Sequence, residues 1–210
     1  MPVLLYCLID GKSPVELPTP GVRNAPVESL RRGDLACVYS NVDVSSPTTE
    51  DALDFHTVVD RVFQQVAVAP FRFPTALDDE RQLMDFLARH GHYSDQLQRL
   101  RDYVQMEVSF TRPAQAATAG ATGREYLESR KQAGEALLQS ATAAVEAAGP
   151  FAHGWRQREA DGKLRCYALV LRSEVDSFRN ALRSLAAPRT VKVLISGPWP
   201  VTEFLEKSAA

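Results

Sequence analysis

The residues of this chain whose types could do chemistry are few and scattered. Its three cysteines, Cys7, Cys37 and Cys166, lie far apart, and each falls within an apolar run of strand character. No CxxC pair or disulfide framework is present, so they are expected to be buried, reduced thiols of a cytosolic protein. Cys166 and His153 sit on opposite arms of a predicted hairpin and could meet as a thiolate–imidazole pair, the arrangement of a covalent nucleophile. Core packing is the commoner fate of a strand cysteine. His56 lies on the apolar stripe of a predicted helix and could serve as a ligand or a base. No second histidine or cysteine stands near it at metal spacing, so it is expected to be a core or domain-interface histidine whose hydrogen bond Asp60 accepts at i+4. His90 and His92 flank Gly91 at a helix end, with no cysteine or carboxylate clustered around them, and read as a solvated terminus. Asp78-Asp79-Glu80 opens a helix, where the helix dipole accounts for the acids. GxGxxG, GxxxxGK[ST], GxSxG and HExxH are all absent. Together these residues imply a binding or assembly protein, not an enzyme.

Composition supports that reading. Of the 210 residues, 45% are hydrophobic and 24% charged, which suits a chain that buries a core, and the length fits two small domains. A net charge of −2 supplies no basic field for phosphates, so nucleic acid is not an expected partner. The segment Met1–Asp10 lacks the basic start and cleavage site of a signal peptide. Its apolar run is far short of the roughly 20 residues that span a bilayer, so it reads as a buried strand and no membrane contact is expected.

The elements follow from periodicity and breakers. After the first strand, Gly11–Pro26 reads as a loop rich in Pro and Gly. A hairpin turns at Arg32-Gly33 between Val27–Arg31 and Asp34–Val42. A helix runs from about Thr49 to Val66, capped by hydroxyls before it and acids in its first turn. Val68–Thr75, bracketed by prolines, permits an edge strand. Within it Arg72 lies between Phe71 and Phe73, either resting its stem on aromatic surface while its head meets a carboxylate or anchoring a partner. A helix opening at Asp78-Asp79-Glu80 and a shorter one from Ser94 complete the first hundred residues. Tyr103–Thr111 alternates cleanly as a strand. A loop (112–122) leads to a long helix, Gly123–Ala148, with the seam Leu127, Gly134, Leu137, Leu138, Ala141, Val145 and Ala148. A hairpin around Asp161-Gly162 follows, then a helix capped by Ser173 and stopped near Pro188. A last strand from Val191 meets the brake Gly197-Pro198-Trp199-Pro200.

This order predicts an α+β chain of two domains. Residues 1–102 form an N-terminal α+β domain, a modified ferredoxin-like layer, and residues 103–210 form a ferredoxin-like βαββαβ domain with a C-terminal tail.

Six segments, in this order, resemble the gas vesicle protein F/L family (GvpF/GvpL). They are Tyr6-Cys7, Gly33-Asp34-Leu35-Ala36, Phe55-His56-Thr57-Val58-Val59, Pro70-Phe71-Arg72-Phe73-Pro74-Thr75, the helix start Gly123–Lys131, and Ser196-Gly197-Pro198-Trp199-Pro200 with the aromatic Phe204 after it. The resemblance covers nearly the whole chain. It implies a cytoplasmic, gas vesicle-associated accessory protein that contacts the hydrophobic shell protein, other vesicle accessory proteins, or both. It implies neither catalysis nor a cofactor. Arg72, Phe71, Phe73, His56, Trp199 and Phe204 are the structural or partner-contact candidates. The competing reading is a small-molecule-binding regulatory module, since ferredoxin-like domains serve many functions. A deep, mostly apolar pocket with converging polar groups would mark such a module.

Overall fold

The structure, a computed structural model, describes residues 1–111, 123–160, 163–183 and 191–206, leaving out some side chains between 123 and 133. The expected loop over 112–122, the Asp161-Gly162 turn, the helix-stop at Pro188 and the seam residue Leu127 lie outside the described residues. By contact the chain divides into one unit of Met1–Asp102 with the residues from Pro200 onward, and another of Tyr103–Trp199. The sequence reading placed everything after 102 in the second domain. The tail departs from that: the Glu206 amide donates to Gln96 Oε1 (2.6 Å) and Leu205 packs on the first unit's core. Burial of apolar tail side chains carries this segment back, because a proline at 200 cannot extend a strand ladder.

The first unit is built on β1 (Val3–Asp10), the hairpin β2 (Glu28–Arg32) and β3 (Leu35–Asn41), and the short strands β4 (Val68–Pro70) and β5 (Ala76–Leu77). The sheet order is β2-β3-β1-β4, with β5 also beside β1, and every pairing is antiparallel. Gly33, at φ 61°, makes the hairpin turn that the sequence signals. The expected strand Val68–Thr75 is interrupted, since Phe71 to Thr75 leave the ladder between two prolines. Helix α1 (Thr49–Phe63) packs against β1 and β4. Helices α2 (Glu80–Arg89) and α3 (His92–Arg99) bring Leu83, Leu87 and Leu97 onto Val3, Leu5, Leu8, Leu35, Cys37 and Tyr39. β1 is therefore covered on both faces, which is why its sequence is a continuous apolar run with no alternation.

A β-bulge at Tyr6 sets the register of β1. Leu5 pairs with Tyr39 and Cys7 with Val38, so Tyr6 is the extra residue and the face pointing to α2 and α3 passes from Leu5 to Leu8. The bulged side chain starts a buried relay. The Val22 amide donates to Tyr6 Oη (3.0 Å), Tyr6 Oη donates to Ser40 Oγ (3.0 Å), and Ser40 Oγ donates to the Pro26 carbonyl (2.7 Å). Burial is the main reason the Tyr6 phenol titrates above its ordinary range, and it stays a neutral donor. The relay pins the loop over 11–26, which carries no α-helix, onto the sheet.

Arg23 fastens the same loop to α1. It and Asn24 adopt left-handed backbone (φ 55° and 60°). Its guanidinium donates to both oxygens of Asp51, Nε to Oδ1 at 3.0 Å and Nη2 to Oδ2 at 2.8 Å, and also to the carbonyls of Asp43 and Ser46. Asp51 is also the third residue of a capping box: its amide donates to Thr48 Oγ1, and its carboxylate accepts from the Thr48 amide. The Arg23 hydrogen bonds, followed by that Thr48 amide, hold the Asp51 carboxyl far below the usual range.

The second unit runs β6 (Tyr103–Thr111), α4 (Gly123–Ala148), β7 (Gly154–Ala160), β8 (Lys163–Leu171), α5 (Val175–Arg183) and β9 (Lys192–Trp199). Its sheet order is β7-β8-β6-β9, antiparallel throughout, so both units place their strands second-third-first-fourth. Helices α4 and α5 touch each other and both contact β8, which puts them on one face. Val104, Met106, Val108 and Phe110 of β6 point into that layer, as their alternation predicts. Among the described side chains of α4 the buried ones are Leu137, Ser140, Ala141, Ala144 and Ala148, whereas Leu138, expected on the seam, is exposed because it lies just outside that arc. Ser173 does not cap α5 as expected. It lies inside the 3-10 turn Arg172–Glu174 that precedes the helix.

Nor does β9 stop at Gly197. Between the pairs Glu107–Ser196 and Gln105–Trp199 it carries one extra residue, and the strand continues through Gly197 and Pro198 to Trp199. Gly197 takes φ 110°, and a Cβ there would sit 2.9 Å from the Gln105 carbonyl oxygen. Its own carbonyl accepts Arg179 Nη2 at 2.6 Å.

Three outcomes follow for stability. Tyr6→Phe breaks the relay in its middle and strands the Val22 amide, and is expected to lower unfolding free energy by about 1–3 kcal/mol in urea titrations with unchanged slope. Gly197→Ala, which combines a forbidden φ with backbone crowding, should cost about 2 kcal/mol or more; a loss under about 0.5 kcal/mol contradicts the bulge geometry. Because the Asp51 carboxyl is depressed in the folded state, its contribution is complete above the unfolded value near 3.9 and is lost as pH falls below it. Thermal melts of Asp51→Asn between pH 7 and 2 should therefore start lower and fall less steeply below pH ~4 than wild type. Parallel acid limbs would refute that assignment.

Candidate functional site

Two of the sequence candidates in the first unit, Phe73 and His56, gather around one aromatic ring, Phe55 of α1. Phe55 packs on Tyr6 (ring centroids 5.3 Å), on Phe73 (5.3 Å) and edge-on to His56 (5.9 Å). Phe71 goes elsewhere, to Phe86 of α2 (5.7 Å), and its amide donates to the Tyr6 carbonyl. The two phenylalanines thus anchor to different helices, and Arg72 between them is exposed. Among the described residues no carboxylate meets the Arg72 head, in contrast to the structural role considered for it. The Phe73–Pro74 peptide is cis, and the Arg72 carbonyl accepts the Thr75 hydroxyl.

His56 differs from expectation. The buried arc of α1 is Asp51, Phe55, Val58, Val59, Val62 and Phe63, and His56 falls beyond its edge, exposed beside Leu53. Asp60 does not accept from it; its carboxylate takes Gln64 Nε2 at 2.8 Å. One ring position about 100° from the stripe centre separates a core residue from a surface one, which spacing alone resolves poorly.

In the second unit Trp199 is 48% exposed, with its indole N–H donating to Ser196 Oγ at 3.3 Å. Phe204 belongs to the tail on the first unit, where its amide donates to the Val201 carbonyl.

The groups suited to covalent chemistry are held apart. Cys166 faces Gln157 across the hairpin, and burial pushes its thiol up to about 11. His153 instead points to Glu174 (Nε2 to Oε2, 3.6 Å) and packs edge-on to Tyr103, so no thiolate–imidazole pair forms. Burial raises the Cys7 and Cys37 thiols as well. His90 is not merely solvated: its Nδ1 is 2.7 Å from the Phe86 carbonyl and its ring stacks on Phe86. Among the described residues no group of three or more His, Cys, Asp or Glu is placed to hold a metal.

A cleft of ≈ 360 Å³ is lined by Met1, Asn41, Asp79 and Glu80. Its polar groups are already engaged: Asp79 caps α2 through the Gln82 amide, and Glu80 accepts from Asn41 Nδ2 (3.0 Å) and faces Tyr39 Oη (3.1 Å). Tyr39 has one proton to give and also lies 2.9 Å from Glu28 Oε2, so the two carboxylates share a single donor there. Sequence reading missed this cluster and the Arg23–Asp51 fork, although the Thr48-x-x-Asp51 spacing was a visible capping signal.

Among the described residues no helix is long and apolar enough to cross a membrane. No curated protein sequence matches the chain. In fold it is similar to the crystal structure of gas vesicle protein GvpF from Anabaena sp. PCC7120, with a TM-score of 0.81 at 11% identity over 99% of this chain and 97% of that one. GvpF from Microcystis aeruginosa is also similar, with a TM-score of 0.73 at 12% identity, covering 97% and 98%. The family model described as gas vesicle synthesis protein GvpL/GvpF matches residues 2–206. The chain belongs to the GvpL/GvpF family and so has a part in gas vesicle assembly.

Proposed function

We propose that this chain is a non-catalytic, cytoplasmic accessory protein of gas vesicle assembly that binds the hydrophobic shell subunit, other vesicle accessory proteins, or both. The observation that carries the reading is the family match over 2–206, which spans both units and the tail and so assigns the whole chain one role. The chemistry described above agrees with it, since the thiols are held protonated by burial and Asp51 and Asp79 are engaged at helix starts. Both units are proposed as ferredoxin-like, supported by their shared strand order. In the first, a pinned loop stands where the first crossover helix would lie. Arg72 and the residues beside it, together with Trp199 and Phe204, are the proposed contact surfaces. Exposed cationic and aromatic groups of this kind are those that anchor protein interfaces.

Affinity capture tests this directly. The chain co-expressed with the shell protein and the other vesicle components should retain at least one of them. Arg72→Glu should reduce recovery about fivefold while shifting stability by no more than about 0.5 kcal/mol. Retention of no vesicle component by the folded chain would overturn the proposal.

A further inference from the structure

Each sheet ends in two edges, and three of the four are guarded. β2 carries Glu28, Arg31 and Arg32, and β7 carries Arg156, Arg158 and Glu159, all of them exposed. Charged side chains along an edge deter a foreign strand from adding to it. β4 and β5 share the remaining edge of the first sheet; they are three and two residues long, and Pro70 ends the first of them. Short strands and proline serve the same purpose. β9 is the exception. Its run Val193-Leu194-Ile195 has one charge beside it, Lys192, and among the described residues it pairs with β6 alone.

Leu194 is 58% exposed. Val193 and Ile195 stand opposite Phe110 and Val108, which are fully buried, yet they stay half-open because no strand flanks their outer side. In an antiparallel pair every second residue turns its N–H and C=O away from the partner strand, so this edge presents backbone donors and acceptors next to apolar side chains. An extended polypeptide is the ligand that meets both. The bulge at Gly197 and Pro198 ends the regular edge and leaves Lys192 to Ser196, about 17 Å of strand. That segment is complementary to itself. Laid antiparallel on a second copy with Leu194 on a two-fold axis, it sets Leu194 against Leu194, Val193 against Ile195 and Lys192 against Ser196. Apolar residues then meet apolar residues, and no lysine faces a lysine.

We propose that β9 pairs with β9 of a second copy of this chain, joining their two four-stranded sheets into one continuous antiparallel sheet with Leu194 on its two-fold axis. The pairing closes on itself. Joining the sheets at β9 leaves the charged β7 of each copy at the two ends, so a third copy finds no open edge on the joined sheet and the product is a dimer, not a fibre. The proposal does not depend on Arg72 or on which vesicle component the chain retains.

Sedimentation equilibrium of the intact chain provides the test. Between about 5 and 500 μM the average mass should rise from 23.2 kDa toward twice that value. Leu194→Lys and Leu194→Glu each set like charges face to face on the axis and should weaken association by about tenfold or more. An equimolar mixture of the two sets opposite charges there and should restore a one-to-one dimer. Because Leu194 is exposed, both variants should keep the wild-type circular dichroism and, at low concentration, a Tm within about 2 °C of it. Leu194→Ser removes the apolar contact on the axis, should also weaken association, and serves if either charged variant folds poorly. A wild-type chain that stays monomeric at the highest concentration overturns the proposal, whether or not some other extended peptide adds to β9. So does a dimer that no Leu194 variant weakens, or a mixture of the charged variants that associates no better than either alone.

Discussion

The first unit depends on a chain of hydroxyls. Val22, Tyr6, Ser40 and Pro26 exchange hydrogen bonds in series inside a space where water cannot substitute, so each donor and acceptor is satisfied by the next. Tyr6 follows Leu5 onto the loop side of the sheet by ordinary alternation, and the bulge there returns Leu8 to the face of Val3 and Leu5. Without the bulge Leu8 would change layer and lose its place against Leu83, Leu87 and Leu97. A non-helical loop can cover a sheet face only when its backbone groups find partners, and the relay and the Arg23 fork are what supply them.

Two sheets with one strand order reach closure by different means. In the first unit, helices and the pinned loop cover both faces, so β1 is apolar throughout and its burial alone contributes about 1.5–3 kcal/mol per large side chain. In the second, α4 and α5 cover one face, and β6 alternates accordingly. The periodicity of each strand thus reports how many layers lie on it. That made the elements and the α+β class readable from residues alone.

Legibility ended where a single residue decides. The position of His56 depends on one step around a helix, and the fate of Phe71 and Phe73 on where β4 breaks, neither of which hydrophobic spacing resolves. The Gly197-Pro198-Trp199 run looked like a strand terminator because proline offers no donor. It is instead a bulge on an edge strand, where that missing donor costs nothing. The Arg23–Asp51 fork joins residues far apart in the chain through left-handed backbone, and no local pattern announces such a pairing.

The return of the tail has a consequence for biogenesis. Residues from Pro200 onward complete the first unit while Tyr103–Trp199 form the second, so the second is an insertion within a discontinuous domain. During synthesis the first unit cannot reach its final packing until Glu206 has been made and can meet Gln96. The inserted unit, by contrast, has all its strands available earlier. The vectorial order of maturation is therefore inside out, and damage to the segment from Pro200 to Glu206 is felt in the amino-terminal half.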